Sequence, residues 1–117
     1  MKYLKGKTVL ITGGASGIGK IMARLMLERK AKVIIWDINQ VSIDATLSEF
    51  SGDVFGFRVD VADVEQIQLT AKKVKQEIGV VDVLINNAGI VVGKYFNDHS
   101  VADIANTINI NTIGPMY

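Results

Sequence analysis

The sequence has no cysteine, a single proline and no long apolar run. Without cysteine the chain forms no disulfide, thiolate metal site or cysteine nucleophile, and this composition is compatible with the cytosol. No segment approaches the ~20 apolar residues of a membrane-spanning helix, and the first apolar run is too short for a signal peptide. We therefore predict a cytoplasmic protein that is not bound to a membrane.

The charges are nearly balanced along the chain. Thirteen Lys and Arg residues oppose twelve Asp and Glu residues, which gives a formal net charge of +1. No basic run or aromatic–basic interleaving occurs, so no nucleic-acid partner is predicted. The only histidine, His99, lies in a polar stretch, and no metal site is expected. The length of 117 residues predicts one domain, 1–117.

Short β-branched runs alternate with amphipathic stretches, and this alternation predicts the fold class. The four predicted strands are nearly continuous apolar runs, as expected of parallel strands buried on both faces: 7–12, 31–37, 53–59 and 82–87. An alternating β-α order implies right-handed crossovers between parallel strands. The sequence therefore predicts an α/β fold with a doubly wound parallel sheet, of which four strands are about the first half.

Helices are predicted after each strand. The first has an apolar stripe with i, i+3, i+4 spacing: Ile18, Ile21, Met22, Leu25 and Met26. A shorter helix is predicted over 41–50. A capping box of Asp63 and Gln66 opens the third helix, and Ser100 with Asp103 opens a fourth. The core-facing side of the third helix is predicted to be Val64, Ile67, Ala71, Val74 and Ile78.

A glycine-rich loop, TGGASGIG, connects the first strand to the first helix at residues 12–19. Gly13 allows a sharp turn out of the strand, Gly17 leaves room for a pyrophosphate, and Gly19 lets the helix approach the strand. The helix N-terminus offers free N–H groups and a partial positive charge to the phosphates. The alternative interpretation is a tight β-α turn that binds no ligand.

A carboxylate, Asp37, ends the second strand eighteen residues beyond Gly19. It can accept hydrogen bonds from both adenosine ribose hydroxyls and would repel a 2′-phosphate. Ile38 follows it, and the glycine loop contains no Arg or Lys. NAD is therefore favoured over NADP as the cofactor. Capping of the second helix is an alternative role for Asp37 that is compatible with ribose binding.

With these motifs the chain resembles the short-chain dehydrogenase/reductase family. The loop matches the family's Thr-Gly-x-x-x-Gly-Ile-Gly pattern at every specified position. The resemblance implies a Rossmann sheet with strand order 3-2-1-4 and a fourth main helix in which the chain ends. It implies that five loop residues border the cofactor: Gly13, Ser16, Gly17, Ile18 and Gly19.

Further motifs follow in the family's order. Asp60 and Val61 match the pair that contacts the adenine ring, with capping of the next loop as the alternative role of Asp60. The sequence NNAG at 86–89 matches the motif that borders the cofactor at the end of the fourth strand. The residues that this motif contributes are Asn86, Ala88 and Gly89, and Asn86 is also expected to satisfy buried backbone groups.

Asn111 matches the asparagine of the family's catalytic set, and a core amide is the alternative role. WDIN at 36–39 and INNAGIVVGK at 85–94 are most similar to the steroid- and retinol-oxidising branch. The family's catalytic serine and Tyr-x-x-x-Lys have no match here. Tyr3 and Lys7 have the spacing, but they precede the first strand, where extended chain separates them by ~13 Å.

The resemblance implies that residues 1–117 are an NAD-binding Rossmann domain that is incomplete at its C-terminus, which is the cofactor-binding part of a longer oxidoreductase. The parent enzyme is expected to transfer a hydride between NAD and a small-molecule alcohol or carbonyl substrate. The 117-residue chain alone is expected to be inactive and to form a homo-oligomer through its exposed sheet edge. The alternative function is a non-catalytic dinucleotide-binding or regulatory module.

Overall fold

The structure is a computed structural model that describes residues 4–87. Four strands alternate with three helices in this part of the chain. They are β1 (Thr8–Thr12), α1 (Gly17–Glu28), β2 (Lys32–Asp37), α2 (Gln40–Glu49), β3 (Val54–Arg58), α3 (Val64–Glu77) and β4 (Val83–Asn86). All four predicted strands are confirmed, each within one residue of its predicted ends. The predicted fourth helix lies outside the described residues.

The strands form one parallel sheet in the order β3-β2-β1-β4, which confirms the predicted order. Thr12, the last residue of β1, is in register with Trp36 of β2 and Asn86 of β4. The carboxyl ends of these three strands therefore meet at one edge of the sheet. The loops that carry the predicted motifs leave the sheet at that edge, where open α/β sheets bind their ligands.

Apolar side chains cover both faces of the sheet. On one face Leu10, Ile34 and Leu84 pack with the buried side of α3, and on the other Ile11 and Ile35 pack with α1 and α2. All five residues of β1 are buried, as predicted for a central strand. β3 is only partly buried, contrary to prediction, because within residues 4–87 it is the outer strand of the sheet, next to β2.

The predicted apolar stripe of α1 is wrong in part. Ile18, Ile21 and Leu25 are 69%, 49% and 39% exposed, whereas Gly19 and Ala23 are buried. The two methionines of the stripe are partly buried against the core. The reason is steric: two small residues on the inner face let α1 approach the sheet closely, and the larger side chains lie beside that contact.

The predicted start of α3 is confirmed, and its reciprocal hydrogen bond differs. The Asp63 carboxylate accepts from the backbone N–H groups of Glu65 and Gln66. The Gln66 side chain accepts from the Asp60 N–H at 2.8 Å, not from the Asp63 N–H that a capping box would use. The Asp63 N–H already donates to the Asp60 carbonyl at 2.9 Å. The predicted buried face is confirmed for Ile67, Ala71 and Val74.

None of the three helices between residues 4 and 87 is both long enough and apolar enough to cross a membrane.

Candidate functional site

The glycine loop begins with a turn at Gly13. Its N–H donates to the Trp36 carbonyl at 2.7 Å, which extends the pairing of β1 with β2 by one residue. Its φ of 66° lies in the left-handed region, where glycine carries no steric cost. The Gly13 carbonyl accepts from the Asn87 side-chain amide at 3.1 Å, so the turn is tied to the end of β4.

Gly17 and Gly19 occupy opposite environments although they are two residues apart. A Cβ atom on Gly19 would overlap the Gly13 carbonyl and lie 2.6 Å from the Asn87 amide nitrogen. Within residues 4–87, and apart from its chain neighbours and the backbone of its own helix, no atom lies within 4 Å of the position that a Cβ on Gly17 would take. Gly19 therefore allows the close contact between α1 and the loop, whereas the backbone at Gly17 faces open space.

The N-terminus of α1 borders that open space without a compensating acid. Ser16 is the N-cap residue, with extended backbone, and its side chain makes no capping hydrogen bond. The first turn of the helix contains no Asp or Glu. The N–H groups of this turn and the helix dipole leave a partial positive charge, which is suited to an anion such as a phosphate.

Asp37 joins the end of β2 to the glycine loop. Its Oδ2 accepts from the Ala15 N–H at 3.0 Å, and its Oδ1 accepts from the Asn39 N–H at 3.1 Å. The cap of α2 is Asn39, which accepts from the Ser42 N–H at 3.0 Å, so Asp37 does not have the alternative capping role. A carboxylate has about four acceptor positions, so Asp37 retains capacity for a ligand's hydroxyl groups.

Asp60 and Val61 follow β3 at the same edge of the sheet. The Asp60 Oδ1 accepts from the Ala62 N–H at 2.9 Å, which is the loop-capping role considered as its alternative. Val61 is 6% exposed and packs in the core beside Trp36. The two residues thus form a short wall, in which the Asp60 carboxylate is bonded to the backbone of its own loop.

These groups surround one cleft of about 410 Å³. Seven of the predicted site residues line it: Gly13, Ser16, Gly17, Ile18, Asp37, Asp60 and Val61. Gly19 packs behind the loop, and Asn86 is fully buried, accepting from the Thr12 hydroxyl at 3.0 Å. The remaining predicted residues, Ala88, Gly89 and Asn111, lie outside the described residues.

Four further residues line the cleft that were not predicted as site residues: Trp36, Ile38, Val59 and Asn87. Ile38 is 54% exposed. Its position directly after the predicted ribose-binding carboxylate could have indicated that it lines the cleft. Asn87 could have been found as the second asparagine of the NNAG motif. Trp36 is 3% exposed, and its indole Nε1 makes no hydrogen bond with the described residues.

The charges around the cleft are asymmetric. The described residues that line it include two carboxylates, Asp37 and Asp60, and no Lys or Arg. A cation lies one strand away, because Arg58 of β3 is in register with Asp37 and is exposed. The cleft therefore combines a positive helix N-terminus, apolar walls and carboxylate acceptors, which is an arrangement for binding a nucleotide.

Comparison with known proteins agrees with this geometry. The family model described as short chain dehydrogenase matches residues 7–117. Estradiol 17-beta-dehydrogenase 11 of Macaca fascicularis is 38% identical over 99% of this chain and 40% of its own length. Retinol dehydrogenase 10-B of Danio rerio is 33% identical over 94% of this chain and 40% of its own length.

A solved structure from Novosphingobium aromaticivorans, described as a short-chain dehydrogenase, shares 34% identity at a TM-score of 0.70. That similarity covers 89% of this chain and 44% of the solved one. The chain thus spans about 40% of the length of the curated relatives it matches. The predicted resemblance is confirmed, and relatives named for estradiol and retinol agree with the branch that the motifs indicated. The chain belongs to the short-chain dehydrogenase/reductase family.

Proposed function

We propose that residues 1–117 belong to one NAD-binding domain and that the parent protein is an NAD-dependent oxidoreductase. One observation carries this proposal: the open backbone at Gly17, the N-terminus of α1 and the Asp37 carboxylate all border a single cleft. A β-α turn that binds no ligand would not require open space beside Gly17. It would also not require a first helical turn without Asp or Glu. The membership of the family supports the same class of cofactor.

The residues present fit a dinucleotide. The first-turn N–H groups of α1 and the Ser16 hydroxyl would hold the pyrophosphate against Gly17. The Asp37 carboxylate would accept from the adenosine ribose hydroxyls, and Asp60 with Val61 would border the adenine. Ala88 and Gly89, which lie outside the described residues, are proposed to border the cofactor further along the cleft.

The charge of the cleft favours NAD over NADP. A 2′-phosphate would bring about two negative charges next to Asp37, and no Lys or Arg is among the described lining residues. Arg58 is in register with Asp37 on the neighbouring strand, and it would influence this preference once Asp37 is removed. We therefore propose that Asp37 determines the preference for NAD over NADP. Arg58 would favour NADP only in a variant that lacks the Asp37 carboxylate.

The bound nicotinamide would supply the hydride chemistry between an alcohol and its carbonyl. The names of the relatives favour a lipophilic alcohol, such as a steroid or a retinoid, as the substrate of the parent. Asn111 is proposed to belong to the proton relay. Lys7 lies just before β1, at the edge of the sheet opposite the cleft, so Tyr3 and Lys7 are not proposed as an acid–base pair.

Calorimetric titration of the purified chain with NAD and NADP tests the binding proposal. We expect saturable NAD binding, weaker NADP binding, and no turnover of retinol or estradiol with NAD. Binding without turnover is also the behaviour of the alternative, a non-catalytic module. Absence of any dinucleotide binding by folded protein would contradict both functions.

Self-association is proposed from the position of β4. Among the described residues β4 is the outer strand next to β1, and an apolar strand at the edge of a sheet can pair with another chain. Sedimentation at several concentrations should show a dimer or a larger assembly. A compact monomer at every concentration would contradict this proposal without affecting NAD binding.

A further inference from the structure

We infer that Gln66 is a positioning residue for base recognition, because it holds the wall formed by Asp60 and Val61. This inference rests on the proposed binding of NAD. Gln66 is not among the residues that line the cleft, so it would act through Asp60. Its role is distinct from that of a helix cap, which Asp63 supplies.

The Gln66 side chain closes a ring of hydrogen bonds. Its Oε1 accepts from the Asp60 N–H at 2.8 Å, and its Nε2 donates to the Asp63 Oδ2 at 3.1 Å. The other Asp63 oxygen accepts from the Gln66 N–H at 3.3 Å. The first turn of α3 is thereby bonded to the residue that begins the wall.

The two partners of the Gln66 amide determine its orientation. One partner is an N–H donor and the other is a carboxylate, so the side chain must accept on one side and donate on the other. A carboxylate of the same shape would face the Asp63 carboxylate, and an apolar side chain would leave a part-buried N–H without an acceptor. Among side chains of this length only glutamine meets both requirements.

The backbone of Asp60 depends on this contact. Its carbonyl accepts from the Asp63 N–H at 2.9 Å, and its own carboxylate holds the Ala62 N–H at 2.9 Å. The Gln66 oxygen completes the set by binding the Asp60 N–H. Without the Gln66 oxygen, the Asp60 N–H would lose its acceptor and the backbone of Asp60 would be less fixed. The proposed contacts of Asp60 and Val61 with the adenine would then be weaker.

The first test replaces Gln66 by methionine, which has similar length and no hydrogen-bonding amide. Calorimetry would compare NAD with nicotinamide hypoxanthine dinucleotide, which differs only in the base. We expect Gln66→Met to weaken NAD binding by about fivefold to tenfold and to reduce the preference for adenine. Gln76→Met, at an exposed position of the same helix, is the matched control and should leave both affinities unchanged.

The second test reverses the polarity of one hydrogen bond. Gln66→Glu alone places two carboxylates together and should reduce the adenine preference at least as much as Gln66→Met. Adding Asp63→Asn supplies an amide that can donate to the new carboxylate while its oxygen still caps α3. The double variant should recover the adenine preference to within about twofold of the original protein, because the Asp60 N–H regains its acceptor.

Three results would count against this inference. An unchanged adenine preference in folded Gln66→Met would overturn it while leaving NAD binding intact. Failure of the Asp63→Asn, Gln66→Glu double variant to recover the preference, although folded, would also overturn it. Absence of NAD binding by the original protein would overturn the proposed function itself and the inference with it.

Discussion

Two clefts among residues 4–87 lie at opposite ends of the sheet, and the smaller of these two carries the candidate site. The cleft at the carboxyl ends of the strands measures about 410 Å³ and is lined by loop backbone, apolar side chains and two carboxylates. The cleft at the other end measures about 620 Å³. Charged side chains of both signs line the larger cleft: Arg24, Glu28, Lys30, Glu49 and Asp53.

The difference shows that the volume of a cleft is a poorer guide to a binding site than the presence of rigidly held polar groups that point into it. In the larger cleft the charges belong to exposed side chains of opposite sign, and Glu49 pairs with Lys20 at 3.0 Å. In the smaller cleft the positive charge comes from backbone N–H groups, whose positions are set by the glycine loop. The glycine loop therefore determines the geometry of the candidate ligand-binding end of the sheet.

The largest expected effect is on stability, from Gly19→Ala. A methyl group there would overlap the Gly13 carbonyl and displace the Asn87 amide bonded to it. Overpacking against backbone together with a lost hydrogen bond should lower the free energy of unfolding by about 3 kcal/mol. Urea denaturation measures the change.

Gly17→Ala is the matched control in the same loop, because its added methyl group meets open space. It should cost only about 1 kcal/mol, the penalty of a left-handed φ of 56°. Equal destabilisation by the two variants would show that the space at Gly17 is not open in solution.

The second prediction concerns binding rather than folding. Gly17→Val fills the space that the pyrophosphate would occupy and should weaken NAD binding by about 100-fold, which calorimetry can follow. Valine at this φ is also strained, so a control must carry the same strain elsewhere. Gly6→Val serves, since Gly6 has a φ of 77° and lies before β1 at the other end of the sheet. Apart from its chain neighbours, no atom of residues 4–87 lies within 4 Å of the position of an added Cβ.

Similar stability of the two valine variants, with NAD binding lost only in Gly17→Val, would separate ligand exclusion from strain. Normal NAD binding by Gly17→Val would show that the loop is a plain turn.

The sequence was sufficient to predict the strands, their order and the glycine loop. The features that it did not predict have physical causes. The nearly continuous apolar runs predicted the strands. The spacing of Gly13, Gly17 and Gly19 predicted the position of the glycine loop. The inner face of α1 was mispredicted because small residues at a close contact give no hydrophobic signal. The contact from Gln66 to Asp60 depends on the conformation of the loop that precedes α3. The spacing of residues in the sequence does not predict that conformation.

The third prediction concerns the choice between NAD and NADP. Asp37→Ala should raise the Kd for NAD by about 10- to 100-fold, because the ribose loses its acceptor and the Ala15 N–H loses its partner. The affinity for NADP relative to NAD should rise, since Arg58 is in register with the vacated position. Calorimetry with both cofactors measures the ratio.

Adding Arg58→Ala to Asp37→Ala should remove this relative gain for NADP. If the ratio did not respond to Arg58, the cation would be too far from the ribose to matter. An original protein that bound NAD and NADP equally would contradict the assignment of Asp37.

The smallest expected effect comes from the other end of the sheet, at Lys30. This residue follows the C-cap of α1 with a φ of 66°, and it is exposed. Its N–H donates to the Leu27 carbonyl, and the next N–H, of Ala31, donates to the Met26 carbonyl. This pair of bonds is a Schellman motif, in which glycine is the preferred residue at the left-handed position.

Lys30→Gly should therefore stabilise the protein by about 0.5–1 kcal/mol, measured by urea denaturation, because relief of the left-handed strain exceeds the entropy cost of glycine. The affinity for NAD should stay within about twofold of the original value, since Lys30 lines the larger cleft and not the site. The matched comparison is Arg24→Ala, which removes a cation from the same cleft without backbone strain and should change neither quantity appreciably. A substantial loss of NAD affinity in either variant would mean that the two ends of the sheet are coupled, and the contrast between the clefts would then be wrong.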